Sequence, residues 1–241
     1  MSGADRMKAC VVGIALAVTA RCTLAQELTA LWESDAASQY GWLNIAHIIP
    51  MRGPHSLVLS ASAARLAYEY ADVEGKARVR STGGALGAGY RLETDRVEVT
   101  AQLGYALRRT SWIPVLSPGE AWNERGAVAL AEAYATLTPR WLVSAVASYD
   151  GILTYDLGRV ALQHRLGADA DPTPLAVWVG IDATVQGSSD ERARQMGGVM
   201  SLEFLSGTWF EIRGGLGRWH YDDGTRESMP YWSMALTRRF R

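Results

Sequence analysis

The chain has 241 residues, 24 of them basic and 25 acidic, and a formal charge of −1. Near neutrality and a pI of about 6.4 exclude a dedicated nucleic-acid binder, and 48% hydrophobic content excludes a disordered chain. Nine Trp and ten Tyr stand against three Phe, an excess of side chains with an apolar body and a polar tip, which collect where oil meets water.

Residues 1–25 read as a secretory signal peptide. Arg6 and Lys8 precede the apolar run Ala9–Ala20, which is too short to span a membrane as a helix. Small residues offer cleavage after Ala20 or after Ala25. Cys10 lies inside this segment and Cys22 between the two cut sites, so the later cut leaves no cysteine and no disulfide framework. Residues 26–241 are then a single domain in the envelope.

That domain alternates with period two, the pattern of strands with one apolar and one polar face. The expected strands lie at roughly 27–35, 39–49, 56–70, 77–92, 95–109, 125–137, 141–150, 154–166, 174–187, 193–205, 208–220 and 229–241. The first pair is weakly patterned, which leaves ten strands as an alternative to twelve. Leu57, Leu59 and Ala61 share a face, and Leu66, Tyr68 and Tyr70 continue it only if a bulge near Ala63 shifts the parity. The purest alternation runs from Val97 to Leu107 and from Leu175 to Val185, each about eleven residues, the length that crosses a bilayer. Soluble strands most often have five or six residues.

The connections alternate in kind. Pro50–His55, Leu92–Asp95, Leu137–Arg140, Gly167–Thr173 and Leu205–Thr208 are mostly short and rich in turn formers. The other set includes Ala71–Lys76, Thr110–Glu124, Ser188–Arg192 and Tyr221–Ser228, with the short Asp150–Leu153 as an exception. With the N-terminus in the periplasm, the longest connection, Thr110–Glu124, is an outer loop, as in bacterial barrels. A soluble β-sandwich also alternates, but its connections cross between sheets, whereas these are hairpin-like. The expected fold is all-β: an antiparallel up-and-down transmembrane barrel of about twelve strands.

No residue set stands out as catalytic. His47, His55, His164 and His220 are far apart and lack metal-ligand spacing. The Gly-rich runs Gly83–Gly89 and Gly214–Gly217 precede no helix, so they read as close backbone approach and not as phosphate loops. His220-Tyr221-Asp222-Asp223 offers acid–base groups of the kind used by lipid-hydrolysing barrels. The nucleophile position two residues from the histidine, however, holds Asp222, and Ser228 lies further on. No cofactor or metal is expected.

Glu98, Arg108, Arg159, Arg165, Asp182, Glu203, Glu211 and Arg213 all fall on polar faces. Inside a barrel such charges must pair, and Arg forms planar bidentate pairs with carboxylates. They predict a lumenal Arg–acid network that plugs the barrel, or a polar path with Trp178 and Trp209 as stacking surfaces for sugar rings. Trp112 and Trp122 fall in the longest outer loop. Tyr68, Tyr70, Tyr90, Tyr105, Trp141, Tyr149 and Trp232 fall on outward faces, where interfacial girdles belong.

Several segments together resemble the exported cellulose biosynthesis protein BcsS family. They are Ser38-Gln-Tyr-Gly-Trp42 leading to Ile49-Pro50, Gly87-Ala-Gly-Tyr90, Leu116-Ser-Pro118, Ala147-Ser-Tyr149 followed by Tyr155 and Arg159, Val185-Gln-Gly187, Gln195-Met-Gly197 and the final Tyr231 strand. The chain departs from the family pattern in placing Arg241 after Phe240. The resemblance implies a non-enzymatic barrel accessory to making or exporting cellulose, and it transfers no active-site residues. Its expected partners are outer-membrane lipid and cellulose or the cellulose synthase and export complex, with no nucleic acid. Under it, Trp112, Trp122, Trp178 and Trp209 become the candidate glucan contacts. A lipid-modifying barrel enzyme of the lipid A deacylase kind and a small-solute pore are the competing readings.

Overall fold

A computed structural model describes residues 27–35, 38–72, 75–114, 119–167, 175–189, 191–204, 207–222 and 224–240. The expected signal peptide lies outside the described residues. Twelve antiparallel strands form one closed barrel. They are β1 (Glu27–Ser34), β2 (Ser38–Pro50), β3 (His55–Asp72), β4 (Gly75–Glu93), β5 (Val97–Pro114), β6 (Glu120–Thr138), β7 (Trp141–Asp150), β8 (Tyr155–Leu166), β9 (Leu175–Gly187), β10 (Glu191–Phe204), β11 (Thr208–Tyr221) and β12 (Arg226–Arg239). Each strand pairs with its sequence neighbours, and β1 closes the ring on β12 from Glu27↔Arg239 to Ser34↔Trp232. Closure leaves no free edge, the condition for a sheet to sit in lipid. The weakly patterned first pair is therefore real, and the count is twelve.

The register confirms the alternation and shows it to be inverted relative to a soluble core. Leu103, Ile181, Met196 and Leu216 project outward and are 73%, 66%, 72% and 68% exposed. Thr100, Gln163, Thr184 and Ser201, on the opposite parity, are buried inside. A soluble sandwich would bury the first set. Tyr90, Tyr105, Trp141, Tyr149 and Trp232 also lie exposed on the outer surface.

Two expectations are corrected. No bulge occurs near Ala63: β3 runs in unbroken register with β2 from Pro50↔Ser56 to Ser38↔Tyr68, and with β4 throughout. Leu66 and Tyr68 thus share the inward parity of Ser60 and Ser62. They lie toward the end of β3 remote from the chain termini, where hydrophobicity no longer reports which side faces lipid. The side chain of Tyr70 lies outside the described residues. The register shift that does occur is between Thr136 and Thr138, against β7. The second correction concerns Thr110–Glu124, which is mostly strand. β5 continues to Pro114 and β6 resumes at Glu120, so Trp112 and Trp122 are strand residues. β3 to β6 reach 18, 19, 18 and 19 residues. This palisade extends the barrel at the rim opposite the termini, called here the distal rim; the other is the terminal rim.

Candidate functional site in the barrel lumen

The inward parity brings polar side chains from every strand around one lumenal cavity of about 710 Å³. Its charges are organised in tiers. At the terminal rim, Glu27 accepts hydrogen bonds from Arg91 Nη1 at 2.9 Å and from Arg239 Nε at 3.1 Å. Arg239 Nη2 also reaches Glu98 at 2.5 Å, and Arg91 Nε donates to Thr100 at 2.9 Å. This cluster joins β1, β12, β4 and β5. A middle tier holds Asp182, which accepts from the Tyr231 hydroxyl at 3.2 Å and lies 3.8 Å from Arg213 Nη1. Arg213 Nε donates to Glu211 at 2.7 Å. Toward the distal rim, Arg159 Nη2 on β8 reaches Glu33 on β1 at 2.5 Å, while Arg108 pairs with Asp150. Arg159 and Glu33 stand on strands several places apart around the ring, so their pair spans the lumen.

The Arg–acid network is thus present, with a different membership from that expected. Glu98, Arg108, Arg159, Asp182, Glu211 and Arg213 have the partners just described. Glu203 lines the cavity, and Arg165 shares its inward parity. Neither forms an ion pair among the described residues. Sequence reasoning missed Glu27, Glu33, Arg91, Asp150 and Arg239. Each lies near a strand end, where too few alternating neighbours establish the parity.

Gly215, from the second glycine run, and Gly197 serve the middle tier. Asp182, Gly197, Gly215 and Tyr231 are opposed in turn across β9, β10, β11 and β12. Tyr231 crosses both glycines to reach the carboxylate. A Cβ on Gly197 would come within 2.6 Å of the Tyr231 hydroxyl and 2.3 Å of the Gly214 carbonyl oxygen. Close approach is therefore the role of both, as expected for the run that holds Gly215.

The four candidate tryptophans separate into two pairs. Trp178 and Trp209 come together at the terminal end of the lumen, with ring centroids 6.3 Å apart and planes inclined by 33°. Trp178 is 7% exposed, and its Nε1–H has no hydrogen-bond partner among the described residues. Trp178 lies beside Arg165 on β8 and Ser201 on β10, and Trp209 beside Glu203 on β10. Gln163 Nε2 donates to Ser201 at 2.6 Å, and Ser201 donates to Glu211 at 3.1 Å. Two indole faces thus lie among amide, hydroxyl and carboxylate groups, an arrangement that can stack and hydrogen-bond a polar ring. Trp112 and Trp122 lie at the distal rim on the inward parity, far along the strands from this pair. The buried Nε1–H of Trp112 has no partner among the described residues, and Trp122 is exposed. Trp42, Tyr40 and Tyr134 also line the lumen. The even-numbered parity of Tyr40, Trp42 and Asn44 was the signal that could have found two of them.

On the outer surface, the register sets His220 opposite Arg226 and Ser228 opposite Arg218. His220 and Ser228 are therefore diagonal neighbours, with no hydrogen bond between them. The lipid-hydrolase alternative gains no assembled dyad from this geometry.

An apolar exterior, a closed antiparallel wall and a charged lumen define a transmembrane β-barrel of the outer-membrane class. Solved structures agree on the fold. The β domain of the Bordetella autotransporter BrkA is 11% identical, with a TM-score of 0.57 over 90% of this chain and 99% of that one. The transport unit of the autotransporter AIDA-I from Escherichia coli is 10% identical, with a TM-score of 0.57 over 95% and 96%. LpxR from Salmonella typhimurium is 13% identical, with a TM-score of 0.51 over 89% and 100%. No functionally curated protein matches the sequence. The family described as cellulose biosynthesis protein BcsS matches residues 34–240, and the chain belongs to that family.

Proposed function

We propose that this protein is a non-enzymatic outer-membrane barrel that assists the production or export of bacterial cellulose. Its N-terminal signal directs export, its termini face the periplasm, and the terminal end of its lumen contacts glucan. Family membership supports the pathway. The observation that carries the glucan contact is the Trp178–Trp209 pair on the inward wall, with hydrogen-bonding groups beside it. Flat indole faces suit the apolar faces of sugar rings, and neighbouring carboxylates and amides suit their hydroxyls. Trp112 and Trp122 stand at the opposite rim, where a chain leaving the lumen would emerge.

The test is a gene deletion complemented by wild type or by W178A/W209A. Deletion is expected to abolish or sharply reduce cellulose, measured as glucose released by cellulase, and the double variant to restore little of it. Undiminished cellulose after deletion overturns the accessory role. Full rescue by W178A/W209A overturns the glucan contact. Altered lipid A mass spectra on overexpression would instead favour an enzyme.

A further inference from the structure

The outward face changes character abruptly along β3 to β6. On β5, Val97 to Leu107 is apolar at every outward position, and the next outward residue is Arg109. Arg65 on β3, Arg80 on β4 and Arg125 on β6 lie at a similar level, all exposed. The register makes them neighbours. Thr82 lies opposite both Arg65 and Arg109, Arg80 lies opposite Ala67 and Ser111, and Arg125 lies opposite Leu107. Arg80 is therefore diagonal to Arg65 and to Arg109, and Arg109 is diagonal to Arg125, each at about 7–8 Å between Cα atoms. None of the four has an ion-pair partner among the described residues.

A second site repeats the pattern around the ring. Arg194 on β10 lies directly opposite Arg218 on β11, both exposed and outward. Like charges directly opposed destabilise a sheet unless an anion lies between them. The acids at outward distal positions of the described strands are Glu69 and Asp156, and each is already paired, with Arg78 and Arg192. On the terminal half of the strands, Arg238 is the one outward arginine among the described residues.

We propose that the cluster of Arg65, Arg80, Arg109 and Arg125 binds the phosphates of a multiply acylated glycolipid of the outer leaflet. This inference rests on the outer-membrane placement proposed above. The geometry commits to a lipid because the arginines stand directly above an apolar wall. Acyl chains lying on Leu86, Leu103, Tyr105 and Leu107, all exposed, bring a headgroup to the level of the guanidinium groups. A planar guanidinium donates two parallel hydrogen bonds to phosphate, and clustered arginines relieve their repulsion by sharing the anion.

The test uses the full barrel in zwitterionic detergent, with native mass spectrometry as the readout and heat-modifiable gel mobility to confirm folding. The probe is bis-phosphorylated lipid A, compared with a dephosphorylated form, with phosphatidylglycerol and with inorganic phosphate. Retention of the bis-phosphorylated lipid is expected, and each arginine-to-glutamine change is expected to weaken it about fivefold. R96Q, in a terminal-rim turn, is expected to leave it unchanged. If the quadruple variant does not fold, the single variants R80Q and R109Q carry the same expectation. Equal retention of the dephosphorylated lipid or phosphatidylglycerol, displacement by inorganic phosphate, or unchanged retention by the variants overturns the proposal. Loss of lipid retention with unchanged cellulose supports this site independently of the glucan reading. Recovery of the chain from the soluble periplasm overturns both.

Discussion

Arg159 and Glu33 meet inside a wall that excludes bulk water from most of their surface, with side chains 10% and 23% exposed. Removing one partner leaves a charge that the lumen must re-solvate, whereas removing both does not. R159M is therefore expected to lower stability by about 1–3 kcal/mol, seen as a lower midpoint for conversion of the folded to the unfolded gel band. The double variant E33Q/R159M is expected to recover part of that loss; a double variant worse than R159M would show that the pair is not what stabilises the site. Gly197 is constrained differently. G197A places a methyl group against the Gly214 carbonyl and the Tyr231 hydroxyl, an overpacking that costs about 1–3 kcal/mol. Y231F/G197A is expected to relieve part of it, because the hydroxyl is one of the two obstacles. Sequence reading assigned Asp182 to the polar face and the run that holds Gly215 to close approach, yet the row they share with Gly197 and Tyr231 was not legible. It links residues 49 positions apart, and only the strand register aligns them.

At the level of the strand, period two determines which side chains meet lipid. Ile181 projects outward in the middle of β9, whereas its neighbour Asp182 faces the lumen. I181R is expected to cost about 2–4 kcal/mol, the penalty for arginine at mid-bilayer, read as reduced folding into lipid vesicles. Q102R on the inward face of β5 is expected to fold nearly as wild type, because the lumen already solvates arginines; equal impairment of the two variants would refute the assigned faces. The alternation was readable wherever a strand crosses lipid, because there the two faces meet different solvents. It misled in β3, where Leu66 and Tyr68 look like a continuation of the lipid face. Toward the distal end, hydrophobicity carries less information about side, and the unbroken register with β2 and β4 decides. The same limit explains why Thr110–Glu124 read as a loop: residues 110–114 and 120–124 extend two strands.

For the whole molecule, the question is how far the charged tiers occlude the lumen. The Arg159–Glu33 pair spans it, and the Glu27–Arg91–Glu98–Arg239 cluster narrows the terminal mouth. In planar bilayers the wild type is expected to conduct ions weakly, and E33A/R159A to conduct several times more; a large, unchanged conductance in both would show an open pore. The sequence by itself determined an all-β barrel of ten or twelve strands, most of its lipid-facing residues and its family resemblance. Those properties are local: each depends on neighbours two residues apart or on motifs in order. The tertiary structure alone decided which lumenal charges pair, which aromatics share a site and where the outward arginines converge. Glu27 and Arg239 are 212 positions apart, and no pattern in a linear chain states that its first and last strands lie side by side. That adjacency follows from closure of the ring, which satisfies the edge hydrogen bonds that lipid leaves unmet.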